Sequence, residues 1–338
     1  MSGLRMGQYG VGHGHAAGKA RAMVANGDVE LVGVYEADQG ARERARASGV
    51  YGDARWYDSA EQMLGDGSIQ AIAVEGRNDQ SLAQAIQTAE AGKHLWYDKP
   101  AGDDWPSCLR LVEEVRRRRL HLQMGYMLRY HDAFRKLADW TRGGRLGEPF
   151  QIRAHFSTNI PVDGPVNSRR LISRHRGGVL YDLGGHMLDQ VVWLLGRPER
   201  VTSFLRNDAT PELPHFADNT LGVFEYRRAI ATVDIAAMEP RPMARRFEVY
   251  GRGGSAILLE PFEPGGRIRL CLEEAGEGFA AGEGLVETGS PGRQELYERE
   301  LVAFVATVRD QQPPDRPLEH ELLVQETLLR ATGGIPGS

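Results

Sequence analysis

Through the first 125 residues, short apolar runs alternate with helix-length segments, and this rhythm restricts the fold more than any other feature of the chain. Leu4–Gly7, Glu30–Tyr35, Ala71–Val74, His94–Tyr97 and His121–Met124 have the length and the aliphatic or aromatic content of strands. Between them His15–Ala25, Ala41–Ala47, Leu82–Ala91 and Pro106–Arg119 read as helices, the last opened by proline at its start. Strands that alternate with helices of this length are joined by right-handed crossovers, so the pattern predicts a parallel sheet covered on both faces. After about Gly125 the rhythm changes. A helix at Asp132–Thr141 and a strand at Pro149–Thr158 are followed by a polar, arginine-rich loop over Asn159–Arg176. Gly185–Leu195 is a helix whose apolar stripe is Leu188, Val191, Val192 and Leu195. Arg200–Leu205, Asn219–Tyr226, Ala229–Ala236, Arg246–Tyr250 and Ile268–Leu272 then follow with little helix between them, which predicts a largely antiparallel sheet. Glu273–Arg293 reads as a loop, and helices near Gln294–Gln311 and Glu319–Ala331 close the chain. The expected organisation is α/β, with a parallel-sheet domain over 1–125 and a second α/β domain, built on an open, largely antiparallel sheet, over 126–338.

A length of 338 residues suits two domains of ordinary size, and 41% hydrophobic with 26% charged residues describes a globular protein. The net charge of −5 lacks the basic footprint of a nucleic-acid-binding protein. The one basic run, Arg116–Arg119, closes a helix, where cations favour the helix dipole. Cys108 and Cys271 match no metal or redox spacing and are expected to be inert packing residues in a reducing compartment. No apolar leader core and no membrane-length apolar stretch is evident, so a cytoplasmic protein with no membrane partner is expected.

Chemistry concentrates in three motifs. Gly92–Pro100 places Lys99 directly behind the strand His94–Tyr97, in a chain whose lysines are only Lys19, Lys93, Lys99 and Lys136. An ammonium can lose its proton when desolvated and a guanidinium cannot, so Lys99 is a candidate acid/base group. The turn Gly7-Gln8-Tyr9-Gly10-Val11-Gly12-His13-Gly14-His15 follows a strand and opens a helix. Gly7 and Gly12 have the outer spacing of the dinucleotide fingerprint, Tyr9 stands in the middle glycine's place, and Gly10 and Val11 complete the turn. Glu36 at the end of the second strand would accept hydrogen bonds from ribose hydroxyls and repel a 2′-phosphate, which favours NAD over NADP. No metal is expected, at His13 and His15 or elsewhere. In the third motif, Tyr181–Asp189, Asp182 and His186 lie four apart and share one helical face. Asp182 reads either as a helix cap or, with His186 and Lys99, as part of a proton-handling set.

These motifs resemble the glucose–fructose oxidoreductase and inositol dehydrogenase family (Gfo/Idh/MocA). That family has a glycine turn ending Gly-x-x-His-Ala, matched by Gly12–Ala16. It has Gly-Lys-His followed by Glu-Lys-Pro, here Gly92-Lys93-His94 and Asp98-Lys99-Pro100. Its second domain has Asp-x-Gly-x-His-x-x-Asp, here Asp182, Gly184, His186 and Asp189. Gly125–Tyr130, Gly144–Pro149 and Tyr250–Gly254 are weaker echoes. The chain departs from the pattern at Tyr9, at Asp98 in place of glutamate, and at Gly76–Ser81, where only Asn78 remains of the family's Thr-Pro-Asn-x-x-His loop.

The resemblance implies a Rossmann domain binding NAD through the turn, Glu36, Asn78 and Asp98, followed by an α/β domain whose open sheet pairs subunits into a homodimer or homotetramer. It implies hydride transfer to or from a hydroxyl-bearing carbon of a sugar, polyol or related cyclic alcohol. Lys99 or His186 would take the hydroxyl proton, and Asp182 would orient substrate and histidine. Arg129, His155 and Arg174 are candidate substrate contacts, as are Arg169, Arg170, His175 and Arg176, and so many cations would suit an acidic sugar. Two alternatives share these motifs: a redox-neutral sugar-processing enzyme that uses NAD transiently, and a non-catalytic nucleotide-sensing regulator.

Overall fold

In the computed structural model, which describes residues 3–259, 261–263, 265–276 and 278–335, the chain forms two compact units. The first comprises Met1–Tyr126 and Tyr297–Leu322, and the second Met127–Leu296 and Leu323–Ser338.

The first unit runs β1 (Leu4–Tyr9), α1 (Ala16–Ala25), β2 (Val29–Tyr35), α2 (Gln39–Ala47), β3 (Arg55–Trp56), α3 (Ala60–Leu64), β4 (Ala71–Val74), α4 (Ser81–Glu90), β5 (His94–Tyr97), α5 (Trp105–Arg117) and β6 (Leu122–Met124). All six strands are parallel, in the order β3-β2-β1-β4-β5-β6. Every residue of β4 is buried, as is Leu95–Tyr97 in β5, which is why these segments read as unbroken apolar runs. Side-chain caps start the helices: Asp38 on α2, Ser59 on α3, and Asp104 on α5 with proline in its first turn. The strand order reverses between β1 and β4, and in an open parallel sheet ligands bind beyond the carboxyl ends of the strands at that point.

The second unit begins with a 3₁₀ turn at Met127–Tyr130 and continues through α6 (Asp132–Arg142), β7 (Pro149–His155), α7 (Arg169–Ile172), α8 (Gly178–Leu195), β8 (Arg200–Arg206), β9 (Asn219–Glu225), β10 (Ile230–Ala236), β11 (Arg246–Gly251), β12 (Gly254–Leu258), β13 (Arg267–Leu272) and β14 (Gly282–Glu287). Two helices follow, α9 (Arg293–Val308) and α10 (Leu318–Thr332). The eight strands lie in the order β14-β13-β12-β11-β7-β10-β9-β8 and are antiparallel except for β7 and β10. One face, with Ile152, Ala154, Phe224, Val233, Ile235, Phe247 and Val249 buried, packs under α8 and α6. The other face is open. A register row of Thr202, Val223, Thr232, Arg153, Glu248, Ile257, Arg269 and Leu285 crosses all eight strands on that side. Within the covered side, Arg129 is buried and its guanidinium pairs with the buried Asp189 of α8, Nη2 to Oδ1 at 2.7 Å and Nε to Oδ1 at 2.9 Å.

Several sequence expectations change. The second domain was expected to run unbroken over 126–338, but 297–322 packs with the first unit. Phe304 of α9 stacks on Trp96 and His121, and the Gln123 side chain donates to the Glu300 carbonyl at 2.9 Å. The loop expected over Asn159–Arg176 contains α7, capped by Ser168, and the loop expected over Glu273–Arg293 contains β14. α8 starts at Gly178 instead of Gly185. Gly177 and Gly178 have positive φ, and a Cβ at Gly178 would lie 2.2 Å from the Ala217 carbonyl oxygen, so the glycines here start the helix and do not break it. Cys108 is a buried thiol as expected, but Cys271 is exposed on the open sheet face. Among the described residues no helix is long and apolar enough to cross a membrane.

Candidate active site

β1 runs to Tyr9, so Gly7 lies inside the strand and not in the turn. Its missing side chain makes room for Ile72, whose Cδ1 would be 2.8 Å from a Cβ. The turn itself is Gly10–His15. Gly10 has φ +86°, and a Cβ there would lie 2.5 Å from the Gly76 nitrogen; one at Gly12 would lie 2.7 Å from Arg77 Cγ. The loop after β4 therefore rests directly on the turn after β1, and His13 N–H donates to the Glu75 carbonyl at 3.0 Å. Glu36 is buried at the end of β2, where Oε2 accepts the Val11 N–H at 2.8 Å and Oε1 accepts the Asp38 N–H at 2.9 Å. Tyr9 turns its hydroxyl to Gln87 at 2.8 Å and sets its ring edge on Tyr35, and burial pushes the phenol up to about 12. Asn78 is half-buried in the β4–α4 loop. A backbone-only turn at a helix N-terminus, at the reversal of strand order, with a carboxylate at the end of the next strand, fits an adenine dinucleotide.

Asp98 and Lys99 follow β5 and are both buried. The Lys99 N–H donates to Asp98 Oδ1 at 2.7 Å. The other carboxylate oxygen, Oδ2, meets His15 Nδ1 at 3.0 Å, Lys19 Nζ at 3.2 Å and His13 Nδ1 at 3.4 Å. Lys19, fully buried in α1, also reaches Glu75 Oε1 at 3.1 Å and lies over the Trp96 ring at 4.4 Å. Burial would lower the Lys19 ammonium, but Asp98 and Glu75 outweigh it and raise it above the ordinary lysine range. Burial pushes Glu75 well above the usual carboxylate range against the pull of Lys19. It would also raise Asp98, which His13, His15 and Lys19 together hold well below that range. Burial pushes the His15 imidazole down to about 4, so at neutral pH His15 is uncharged and Lys19 supplies the fixed positive charge beside Asp98. Donor atoms of His13, His15 and Asp98 converge within 4.8 Å, a spacing that could hold a metal ion, but the Lys19 ammonium already places a cation against Asp98.

In the second unit Asp182 and His186 are buried one turn apart on α8. Asp182 is not a cap, because the helix begins four residues earlier. The His186 ring meets Phe156 edge-on at 5.7 Å. The expected substrate cations have partners of their own. Arg129 is committed to Asp189. His155 points to the open face of the sheet, with Asp234 2.5 Å from its Nδ1 and Glu239 on its other ring nitrogen. Arg174 is exposed, Arg170 is exposed and paired with Asp163, and Arg176 is exposed and donates to the Gly333 carbonyl. Arg169 is buried and bonded to the carbonyls of Ile160 and Ala237 and to the Thr210 hydroxyl, while His175 stacks on Tyr181.

Sequence reasoning missed Lys19 and Glu75. Lys19 carried two faint signals, the scarcity of lysine and its position three residues after Ala16 and four before Met23 on the apolar side of α1, but nothing in the sequence marked its partners.

Two family models match the chain. One, described as an oxidoreductase family with an NAD-binding Rossmann fold, covers residues 4–126, and the other, the GFO/IDH/MocA C-terminal domain, covers residues 134–257. The chain belongs to this family of NAD-binding oxidoreductases. It is similar to an uncharacterised oxidoreductase of Rhizobium meliloti, 26% identical over 91% of this chain and 89% of the relative. It is also similar to an inositol 2-dehydrogenase of Saccharopolyspora erythraea, 24% identical over 72% of this chain and 71% of the relative. Its fold matches that of an oxidoreductase from Agrobacterium radiobacter solved with NAD+, L-tartaric acid and magnesium, with a TM-score of 0.80, 15% identity, and coverage of 97% of this chain and 94% of that one.

The raised Glu75 carboxyl has a consequence for stability. The native state holds a proton that the unfolded chain releases above its ordinary value of 4.5, so this group's contribution to stability is lost as pH rises through that value and beyond. Glu75→Gln keeps the shape without the proton. Its melting temperature relative to wild type is expected to increase steadily from about pH 5 to about pH 8. A difference that does not change with pH would mean that Glu75 is ionised throughout.

Proposed function

We propose that the protein is an NAD-dependent dehydrogenase acting on a hydroxyl-bearing carbon of a sugar, polyol or related cyclic alcohol. The observation that carries this reading is Lys99, a buried lysine at the carboxyl end of β5 whose backbone is gripped by Asp98, two strands from the glycine turn. The inositol dehydrogenase relatives support the substrate class. The nicotinamide ring of a bound dinucleotide supplies the hydride acceptor. The chain handles everything else. In the oxidative direction Lys99 takes the hydroxyl proton, with His186 as the other candidate for that role, and Asp182 orients the hydroxyl. Glu36 and the Gly10–Gly12 turn hold the adenosine end.

Screening sugars and polyols for reduction of NAD tests this directly. Lys99→Met is expected to lower kcat by about 10²–10⁴-fold with NAD affinity nearly unchanged, because the cofactor's anchors lie elsewhere. Near-normal turnover in a folded Lys99→Met variant would overturn the mechanism, and turnover with sub-stoichiometric NAD would favour the redox-neutral chemistry.

Cofactor preference follows from Glu36. Catalytic efficiency is expected to favour NAD over NADP, and Glu36→Ser to narrow the gap. A wild-type preference for NADP would refute this.

We also propose a cytoplasmic homodimer or homotetramer. The unpaired cysteines, one of them exposed, support a reducing compartment. On the open sheet face Phe204 and Leu285 are exposed, and these support pairing of that face; Phe224, Val233 and Ile235 face inward and play no part. Sedimentation at micromolar concentration is expected to show an oligomer that Phe204→Asp weakens, and a wild-type monomer would end this proposal.

A further inference from the structure

We propose that Lys19 is a positioning residue for Lys99, acting as the buried counter-ion that orients the Asp98 carboxylate on the Lys99 backbone N–H. The proposal rests on the reading of Lys99 as the proton-transfer group.

The geometry is a relay of fixed contacts. Asp98 divides its two oxygens between two tasks: Oδ1 holds the Lys99 N–H at 2.7 Å, and Oδ2 faces Lys19 Nζ at 3.2 Å. Three elements meet at the ammonium, because Lys19 comes from α1, Glu75 from the end of β4 and Asp98 from the end of β5. The groups facing Asp98 are His13 and His15 from the turn, Lys19 from α1 and Glu75 across the ammonium, and the charge of Glu300 in α9 also favours the Lys19 ammonium. Tyr297 packs on the outer side of His15. Of the basic groups in this set His15 is neutral at neutral pH, and Lys19 brings a permanent charge to the second oxygen of Asp98.

Space around the pair is fixed as well. A Cβ at Gly125, after β6, would lie 2.8 Å from Asp98 Oδ1 and 2.9 Å from Lys19 Nζ. Any larger residue at this position would push the carboxylate or the ammonium out of place. Without the ammonium, a carboxylate that is 3% exposed would lose its permanent counter-charge and keep the His13 and His15 ring nitrogens, of which His15 is neutral at neutral pH, so burial would favour its protonated form. Neutral Asp98 would hold the Lys99 N–H more weakly and leave the backbone of the catalytic lysine free to shift. A displacement of about an ångström at a reacting group is enough to cost about 10²-fold in rate.

The test uses the full chain in two backgrounds, because Lys19→Met alone removes the partner of both Asp98 and the buried Glu75 carboxyl, either of which could give a carboxylic acid signal. Glu75→Gln removes one of them, and Lys19→Met is then added to it. Infrared spectra at neutral pH are expected to show a protonated buried carboxylic acid that appears with Lys19→Met in the Glu75→Gln background and disappears when Asp98→Asn is added. Turnover per folded molecule is expected to fall about 10²-fold on adding Lys19→Met, with KM for NAD little changed and partial recovery as pH is raised enough to ionise Asp98 again. No new carboxylic acid band, or unchanged kcat in the folded variant, would overturn the proposal. A purely structural role would lower the melting temperature at every pH and leave kcat per folded molecule flat. If wild type oxidises no hydroxyl substrate, the dehydrogenase reading fails, while the infrared result decides the Lys19–Asp98 link independently.

Discussion

A lysine ammonium with no exposure to solvent, held between the Glu75 carboxyl group at 3.1 Å and the Asp98 carboxylate at 3.2 Å, organises the first unit. Removing such ions from water costs several kcal/mol each, and a buried pair recovers that cost only when its geometry is tight. Lys19 has close neighbours on several sides. The Trp96 ring lies beneath it, Gly125 contributes no side chain beside it, and both carboxylates stand at the carboxyl ends of neighbouring strands. Because β4 and β5 end there, one cation fixes the start of the loop that lies on the glycine turn and also the segment that carries Lys99. The same charge ties together the carboxyl ends of β4 and β5.

The parallel sheet was legible because its central strands are buried on both faces and so read as continuous apolar runs; Ala71–Val74 and His94–Tyr97 have the bounds read from sequence. The start of α8 was not legible. Gly177-Gly178 and Gly184-Gly185 look like helix breakers, yet the first pair starts the helix at positive φ and Gly184 lets Leu328 of α10 pack closely against α8. That error made Asp182 look like a possible cap. Lys99, Glu36 and the turn could be found because each sits at a fixed offset from a recognisable strand. Lys19 and Glu75 could not, because their significance exists only once three elements come together.

In the second unit the period-2 alternation of strands decides which candidates face the helices. His155 and Ala154 are neighbours in β7, so with Ala154 buried under the helices His155 must face outward, where Asp234 from β10 pairs with it. Two of the cations expected to recognise an acidic sugar have structural partners: Arg129 ties the 3₁₀ turn to α8 and Arg169 ties α7 to neighbouring carbonyls. A count of arginines in a polar segment therefore says little about substrate charge, because an arginine's five donors serve equally well to satisfy buried backbone carbonyls.

The departure at Tyr9 is tolerated because the fingerprint's demands have moved along the chain. Tyr9 is the last residue of β1, its side chain directed at α4, where Gln87 accepts its hydroxyl. Gly10 then takes the left-handed conformation, in which any Cβ would strike the Gly76 backbone, and Gly12 leaves room for Arg77. Close approach of a pyrophosphate needs bare backbone at the turn, not a glycine at one particular register. Glu36 imposes the matching constraint at the other end. Each of its oxygens already accepts one backbone N–H, from Val11 and from Asp38. An ionised carboxylate offers about four acceptor sites, so about two remain, enough for the two hydroxyls of a ribose and electrostatically hostile to a 2′-phosphate. The carboxylate that shapes the turn is thus also the group that would read the cofactor.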